Sequence, residues 1–177
     1  MKDNHELINQ DSGNTEWYTP KEIIEAARKC LGRIDLDPFS CDIANKAVKA
    51  TDIYTKEDDG FEQQWFGKVW CNHPFSRENN KRIAMKAVNE YHGNNCEIVM
   101  ITFAATSEAW FKPLLYRPQC YLHGRTNYYD QNGNKVNGVT KGSVVTYFGN
   151  DVESFYQAFK HLGTIKIPYP IDKTTNQ

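Results

Sequence analysis

The sequence lacks most features that would mark a secreted, membrane-bound or metal-binding protein. Its 177 residues include five cysteines, an odd number with no C-x-x-C pair, and five histidines without the spacing of metal ligands. A disulfide framework and a metal site are therefore not expected. No run approaches the roughly 20 apolar residues of a membrane-spanning helix, and the polar start has no signal-peptide core. We expect a cytoplasmic protein with no membrane partner.

The chain also has almost no net charge, formally −1 at pH 7, which argues against a protein that coats nucleic acid. The charges are unevenly distributed, however. Residues 1–63 hold fourteen acidic and eight basic residues, whereas residues 64–150 hold ten basic and five acidic ones. A local basic surface suits a protein that contacts a few phosphates, and an ordinary solvated helix face is the alternative. The candidate DNA contacts are Arg77, Lys81, Arg82 and Arg125.

Length and patterning predict one domain over residues 15–167, between a loose polar segment (1–14) and a flexible tail (168–177). Thr19 as N-cap and Pro20 at the first helical position predict a helix that runs to Leu31. Further helices are predicted over 42–50, 77–91, 107–115 and 151–161, and strands over 33–37, 67–71, 97–102, 120–123, 127–129, 143–148 and 163–167.

This alternation of strands and helices, followed by a hairpin signal at Asn132-Gly133, predicts an α/β fold. The sheet should be open and mostly parallel, with helices on both faces and an antiparallel hairpin at its edge. In such sheets ligands bind at the carboxyl ends of the strands. Asp37 and Asn72 both fall at predicted strand ends, so the functional site is expected there.

The segment Asn72-His73-Pro74-Phe75 follows the apolar strand and predicts a tight turn fixed by proline. The amide oxygen of Asn72 and the main-chain carbonyl of His73 can accept both N–H bonds of a nucleobase amino group. Phe75 can stack on a base that has been flipped out of DNA. The turn thus predicts methylation of an amino group in DNA, on either adenine or cytosine.

A sulfonium methyl donor needs carboxylates for its ammonium group, an acceptor for its ribose and an apolar slot for its adenine. Asp35 and Asp37, followed by Pro38-Phe39, can supply the carboxylates and part of the slot. The segment Trp17-Tyr18-Thr19-Pro20 can close over the donor, with the start of its helix facing the donor's carboxylate. These residues are the candidate cofactor site.

Taken in order, these segments resemble a known family, the small N6-adenine DNA methyltransferases of phages and prophages. The likeness covers residues 16–149 and includes Trp17–Pro20, Asp35–Pro38, Asp59–Phe61, Gly67–Asn72, Trp110-Phe111 and Gly124-Arg125. The resemblance implies a Rossmann-like methyltransferase fold, S-adenosylmethionine as donor and DNA adenine as acceptor. It also implies that Asn72, Pro74 and Phe75 match the catalytic Asn-Pro-Pro-Tyr/Phe motif. Asp37, Pro38 and Phe39 match the donor-binding acidic-Pro-Phe segment.

Two departures from the family keep other functions open. His73 stands where the family usually has its first proline, and Ser40-Cys41 lacks the glycines of the broader methyltransferase signature. The alternatives are a cytosine-N4 methyltransferase, a catalytically silent protein that binds DNA or the donor, and a nucleotide-binding domain without a DNA role. Of the neighbours Tyr128 and Tyr129, one is expected to pack inward while the other meets DNA. The sequence specifies neither a recognition sequence nor an oligomeric state.

Overall fold

A computed structural model describes residues 18–130, 132, 134–135 and 141–169. In this part of the chain lie four α-helices, one 3₁₀ helix (Ala109–Tyr116) and seven strands. The α-helices are α1 (Lys21–Leu31), α2 (Asp42–Val48), α3 (Arg77–Gly93) and α4 (Val152–Phe159). The strands are β1 (Leu36–Asp37), β2 (Asp52–Ile53), β3 (Lys68–Cys71), β4 (Glu97–Phe103), β5 (Gln119–Leu122), β6 (Ser143–Phe148) and β7 (Gly163–Lys166).

All seven strands form one sheet in the order β2-β1-β3-β4-β6-β5-β7. The first four strands of this order run parallel, and β6, β5 and β7 each run antiparallel to their neighbours. The predicted α/β class is therefore confirmed, and β7 lies at the sheet edge as expected. The antiparallel part comprises three strands, so it is larger than the predicted hairpin edge.

The core lies on both faces of this sheet because its central strands are apolar on both sides. Along β4, Ile98 and Met100 pack with α3 and the 3₁₀ helix, while Val99 and Ile101 pack with α1 and α4. All four side chains are fully buried. The alternation of side chains along the strand thus serves two separate helix layers.

The start of α1 differs from the prediction. Pro20, with φ −52° and ψ 141°, is the N-cap, and no side chain caps the helix there. The prediction of Thr19 as N-cap is wrong because the extended Pro20 places Thr19 one residue too early to reach the first free N–H groups. The Thr19 side chain is buried instead.

Other elements also differ from those predicted from the hydrophobic pattern of the sequence. The helix predicted over 107–115 is a 3₁₀ helix that contains Pro113, whose missing N–H disfavours a regular α-helix. The strand predicted over 127–129 is absent, and only Tyr129 forms β-bridges, to Tyr18 and Lys135. Strand β2 was not predicted, since its two residues are too few for a pattern. The last helix ends at Phe159 rather than His161.

No helix in the described ranges is both long and apolar enough to cross a lipid bilayer. The predicted loose segment 1–14 lies outside the described residues, as do positions 170–177 of the predicted tail and Gly133 of the predicted turn. The division into one domain with two loose ends therefore stays a prediction.

Candidate active site

A cavity of about 600 Å³ lies at the carboxyl ends of β1, β2 and β3. This is the edge where open α/β sheets bind ligands, and the volume is typical of small-molecule sites. The predicted site residues that line it are Tyr18, Thr19, Asp37, Phe39, Asn72, His73, Pro74 and Arg82. The structure therefore brings the segment predicted to hold the acceptor base against the segment predicted to hold the donor.

The turn after β3 is held in place by the start of α3. Ser76 is the N-cap of this helix, and its hydroxyl accepts the Asn79 N–H at 3.1 Å. The Asn79 side chain donates in turn to the Pro74 carbonyl at 3.0 Å. Because the turn and the helix share these bonds, Asn72 is presented at the cavity wall by a fixed support.

His73 is buried, with 1% of its surface exposed. Its Nε2 donates to Asn80 Oδ1 at 2.7 Å, which leaves Nδ1 as an acceptor without a partner among the described residues. Burial lowers the pKa of His73 to about 4, against a smaller opposing effect of the Asn80 hydrogen bond. The hydrogen bond from His73 to Asn80 on α3 restrains the turn, and so replaces part of the rigidity that a proline at position 73 would give.

Asp37 is a buried carboxyl group at the end of β1, with 2% of its surface exposed. Its Oδ1 accepts the Phe39 N–H at 3.1 Å. Burial raises the pKa of Asp37 to about 7, with smaller opposing effects from hydrogen bonds to Phe39 and Ser40. A buried carboxyl group with few donors is suited to bind a cationic or hydroxyl-bearing ligand, because such a ligand supplies the missing donors.

The segment that precedes α1 forms another wall of the cavity. The Thr19 hydroxyl is buried and finds no hydrogen-bond partner in the described part of the chain. Tyr18 exchanges two main-chain hydrogen bonds with Tyr129, at 2.9 and 3.0 Å, and its hydroxyl lies 3.5 Å from Cys41 Sγ. The predicted donor residue Trp17 lies outside the described residues.

The loop between β2 and β3 also lines the cavity. The Trp65 indole donates to the Gly60 carbonyl at 2.8 Å, and the Phe39 and Phe61 rings lie 4.6 Å apart between centroids. Arg82 of α3 lies 4.3 Å over the Phe61 ring. The Asp-Gly-Phe and Asp-Pro-Phe segments of the sequence therefore pack directly on each other.

Four described residues of the predicted catalytic and cofactor sites do not line the cavity. Asp35, directly before β1, is paired with Arg33 at 2.6 Å and accepts the Lys68 N–H at 2.9 Å. Pro20 and Pro38 are buried. The Phe75 ring packs 4.5 Å from Phe103, with 8% of its surface exposed. A stacking role of Phe75 stays a prediction, and in this structure its ring supports the turn from inside the core.

The predicted DNA contacts are distributed around the same edge. Arg77 and Lys81 are exposed in the first turns of α3, four residues apart and therefore on one face. Arg82 lines the cavity and is paired with Glu62 at 2.6 Å. Arg125 is exposed, and one of its guanidinium nitrogens lies near Gly142.

Sequence reasoning missed the wall that α2 contributes. Ile43, Ala44 and Ala47 line the cavity, and Ile43 is 52% exposed. Their helical spacing directly after Asp-Pro-Phe was the available signal. Asp130 also lines the cavity and was not singled out.

Comparison with known proteins shows what the whole chain is similar to. Residues 8–162 match a family model described as DNA N-6-adenine-methyltransferase (Dam), which covers well over half of the chain. No curated protein matches the sequence.

Proposed function

This chain belongs to the DNA N-6-adenine-methyltransferase family, and on that premise we propose how its cavity serves this reaction. The protein is an adenine-specific DNA methyltransferase. We propose that S-adenosylmethionine is its methyl donor and that the target adenine is flipped out of the duplex into the cavity. The observation that carries the proposal is that the buried Asp37 carboxyl group and the Asn72 side chain line one cavity, at the ends of neighbouring parallel strands.

The residues on one side of the cavity fit the donor. The buried Asp37 carboxyl group and the Thr19 hydroxyl, which lacks a partner in the described chain, match the ammonium and hydroxyl groups of such a ligand. The exposed apolar face of α2, with Ile43, Ala44 and Ala47, matches its adenine ring. The donor supplies an electrophilic methyl carbon on a sulfonium centre.

The turn after β3 holds the acceptor in this proposal. The adenine amino nitrogen is a poor nucleophile because its lone pair is delocalised into the ring. The Asn72 amide oxygen and the His73 carbonyl accept its two N–H bonds, which localises the lone pair on nitrogen. The same acceptors stabilise the positive charge that develops on nitrogen as the new N–C bond forms and the carbon–sulfur bond of the donor breaks. The donor would leave as an uncharged thioether, and the methylated nitrogen would lose one proton to solvent.

The neutral state of His73 supports this assignment. A charged imidazolium at this position would oppose the positive charge that develops on the amino nitrogen. Burial holds the pKa of His73 at about 4, so the side chain carries no charge at neutral pH. The departure from the family motif is therefore compatible with the proposed chemistry.

Basic residues at the same edge would hold the DNA. We propose that Arg77 and Lys81, which are exposed on one face of α3, contact phosphates on one side of the flipped base. Arg125, beyond the cavity on the 124–142 segment, is proposed to contact the other side. We also propose that the fold is a Rossmann-like methyltransferase fold. The protein is further proposed to come from a phage or prophage and to act in the cytoplasm of a bacterial host.

The direct test uses unmethylated genomic DNA and isotopically labelled S-adenosylmethionine, followed by mass spectrometry of the released nucleosides. Labelled N6-methyladenine is the expected product. Labelled N4-methylcytosine would instead show that the acceptor base is cytosine. If calorimetry detects donor binding but no labelled nucleoside forms, the protein binds the donor without transferring its methyl group, and the proposed activity is refuted.

A further inference from the structure

Five aromatic rings line the cavity, and they differ sharply in exposure. Trp70 is 1% exposed, and Phe39 and Phe61 pack against each other. Tyr129, by contrast, is 38% exposed. A base that enters from DNA must approach from solvent, so an exposed ring on the wall is the first aromatic surface it can reach.

The main chain fixes the position of Tyr129. Its N–H donates to the Tyr18 carbonyl at 3.0 Å, and its carbonyl accepts the Tyr18 N–H at 2.9 Å. The preceding residue, Tyr128, is fully buried, and its hydroxyl lies 3.0 Å from Ser143 Oγ. Because neighbouring side chains in extended chain point to opposite sides, the inward Tyr128 directs Tyr129 outward.

Tyr128 also connects Tyr129 to the catalytic turn. The ring of Tyr128 lies 5.8 Å from the ring of Phe75, which in turn lies 5.0 Å from the ring of His73. The Phe75 ring thus contacts Tyr128 inside the core. Asn72 and Tyr129 both line the cavity. Tyr129 therefore lines the same cavity as Asn72 and directly follows a residue that packs against the turn.

We propose that Tyr129 stacks on the target adenine after the base has been flipped, and so positions its amino group for Asn72. The inference rests on the proposed function. It assigns to Tyr129 the aromatic contact that the sequence pattern predicted for Phe75. Base–aromatic stacking tolerates any base, so Tyr129 contributes binding while the Asn72 corner provides the selection for an amino group.

The test compares Tyr129→Leu and Tyr129→Gln, which remove the ring, with Tyr129→Phe, which keeps it. Tyr156→Leu is the matched control, because Tyr156 is 41% exposed on α4 and does not line the cavity. The readouts are kcat/KM for unmethylated genomic DNA, donor affinity by calorimetry and thermal melting. We expect both ring-removing variants to lose roughly 5- to 150-fold in kcat/KM for DNA. Donor affinity and melting temperature should stay unchanged, and Tyr129→Phe and Tyr156→Leu should behave like wild type.

Three results would overturn the inference. Wild-type kcat/KM in Tyr129→Leu and Tyr129→Gln would overturn the inference and leave the proposed function standing. Loss of donor affinity in these variants would also overturn it, because Tyr129 would then belong to the donor side. Unfolding of both variants would assign the ring a structural role and overturn it as well. If wild-type protein produces no methyladenine, the proposed function fails, and this inference fails with it.

Discussion

Gly60 lies so close to Pro38 that a Cβ atom added to it would stand 1.8 Å from the Pro38 carbonyl oxygen. Only a glycine permits this approach of two main-chain segments. Pro38 follows the buried Asp37, and Gly60 precedes Phe61, whose ring packs against Phe39. The contact therefore joins the proposed donor wall to the loop that closes the cavity.

Replacing Gly60 by alanine should separate these two segments. The new methyl group meets main chain, which cannot rotate away, so we expect a loss of about 1–3 kcal/mol in the free energy of unfolding and weaker donor binding. Gly93→Ala is the control, because a Cβ there has no atom within 4 Å. Urea denaturation and donor calorimetry measure both effects. Equal stability of the two variants would contradict the prediction that a side chain at position 60 clashes with the main chain of Pro38.

Asn72→Ala should reduce kcat by at least about a hundredfold, because it removes one of the two proposed acceptors of the amino group. Donor affinity should stay unchanged, since the donor is assigned to the Asp37 side of the cavity. Asn89→Ala, at an exposed position of α3, is the matched control. Labelled-methyl incorporation and calorimetry separate the two quantities. Turnover retained in Asn72→Ala would refute the assigned role.

The pKa of Asp37 predicts a pH dependence of stability. Burial raises this pKa from 3.8 to about 7, so between these values the folded protein holds a proton that the unfolded chain has released. The contribution is fully present below about pH 4 and is lost as the pH rises through about 7. Taken alone, this titration lowers the free energy of unfolding by up to about 1.4 kcal/mol per pH unit in this window. Asp37→Asn should remove this contribution.

His73 has the opposite effect, since burial lowers its pKa from 6.5 to about 4. Its contribution is present above about pH 6.5 and is lost as the pH falls through about 4. In wild-type protein the two slopes oppose each other, so Asp37→Asn should reveal a stability that rises with pH between these values. Urea denaturation at several pH values measures this, with the exposed Asp52→Asn as control. Identical pH profiles of Asp37→Asn and wild type would contradict the prediction.

Glu62→Gln should strengthen DNA binding. Glu62 is paired at 2.6 Å with Arg82, which lines the cavity, and the side chains of Arg82 and Glu62 are 41% and 69% exposed. Without the carboxylate, Arg82 becomes available to a phosphate. The affinity for DNA should rise, and the slope of log K against log salt should steepen by about 0.9. Glu57→Gln makes the same charge change at an exposed site, and an equal effect there would show that only net charge matters.

Much of the fold could be predicted from the sequence because its signals are local. The apolar run of β4, the Asp151 cap of α4 and the glycine after α1 each act over a few residues. The strand ends that carry Asp37 and Asn72 were predicted for the same reason. The two-residue strand β2 was missed, since it exists only through pairing with β1.

Within the site, the sequence identified residue types but not their directions. Asp35 and Asp37 are equivalent as a pattern, yet only Asp37 reaches the cavity. Asp35 lies two residues earlier, about 7 Å back along the strand, where Arg33 and the Lys68 N–H bind it. Phe75 and Tyr129 are both aromatic, and packing decides that the first is buried and the second exposed.

By itself the sequence determined most of the strands and helices, the proline-fixed turn after β3 and the family that these segments resemble. Those properties follow from backbone propensities and spacing, which act along the chain. The tertiary structure alone decided that Gly60 meets Pro38, that Tyr18 pairs with Tyr129, and which carboxyl group is buried at the cavity. These contacts join residues far apart in sequence, and their geometry depends on how whole elements pack rather than on any local pattern.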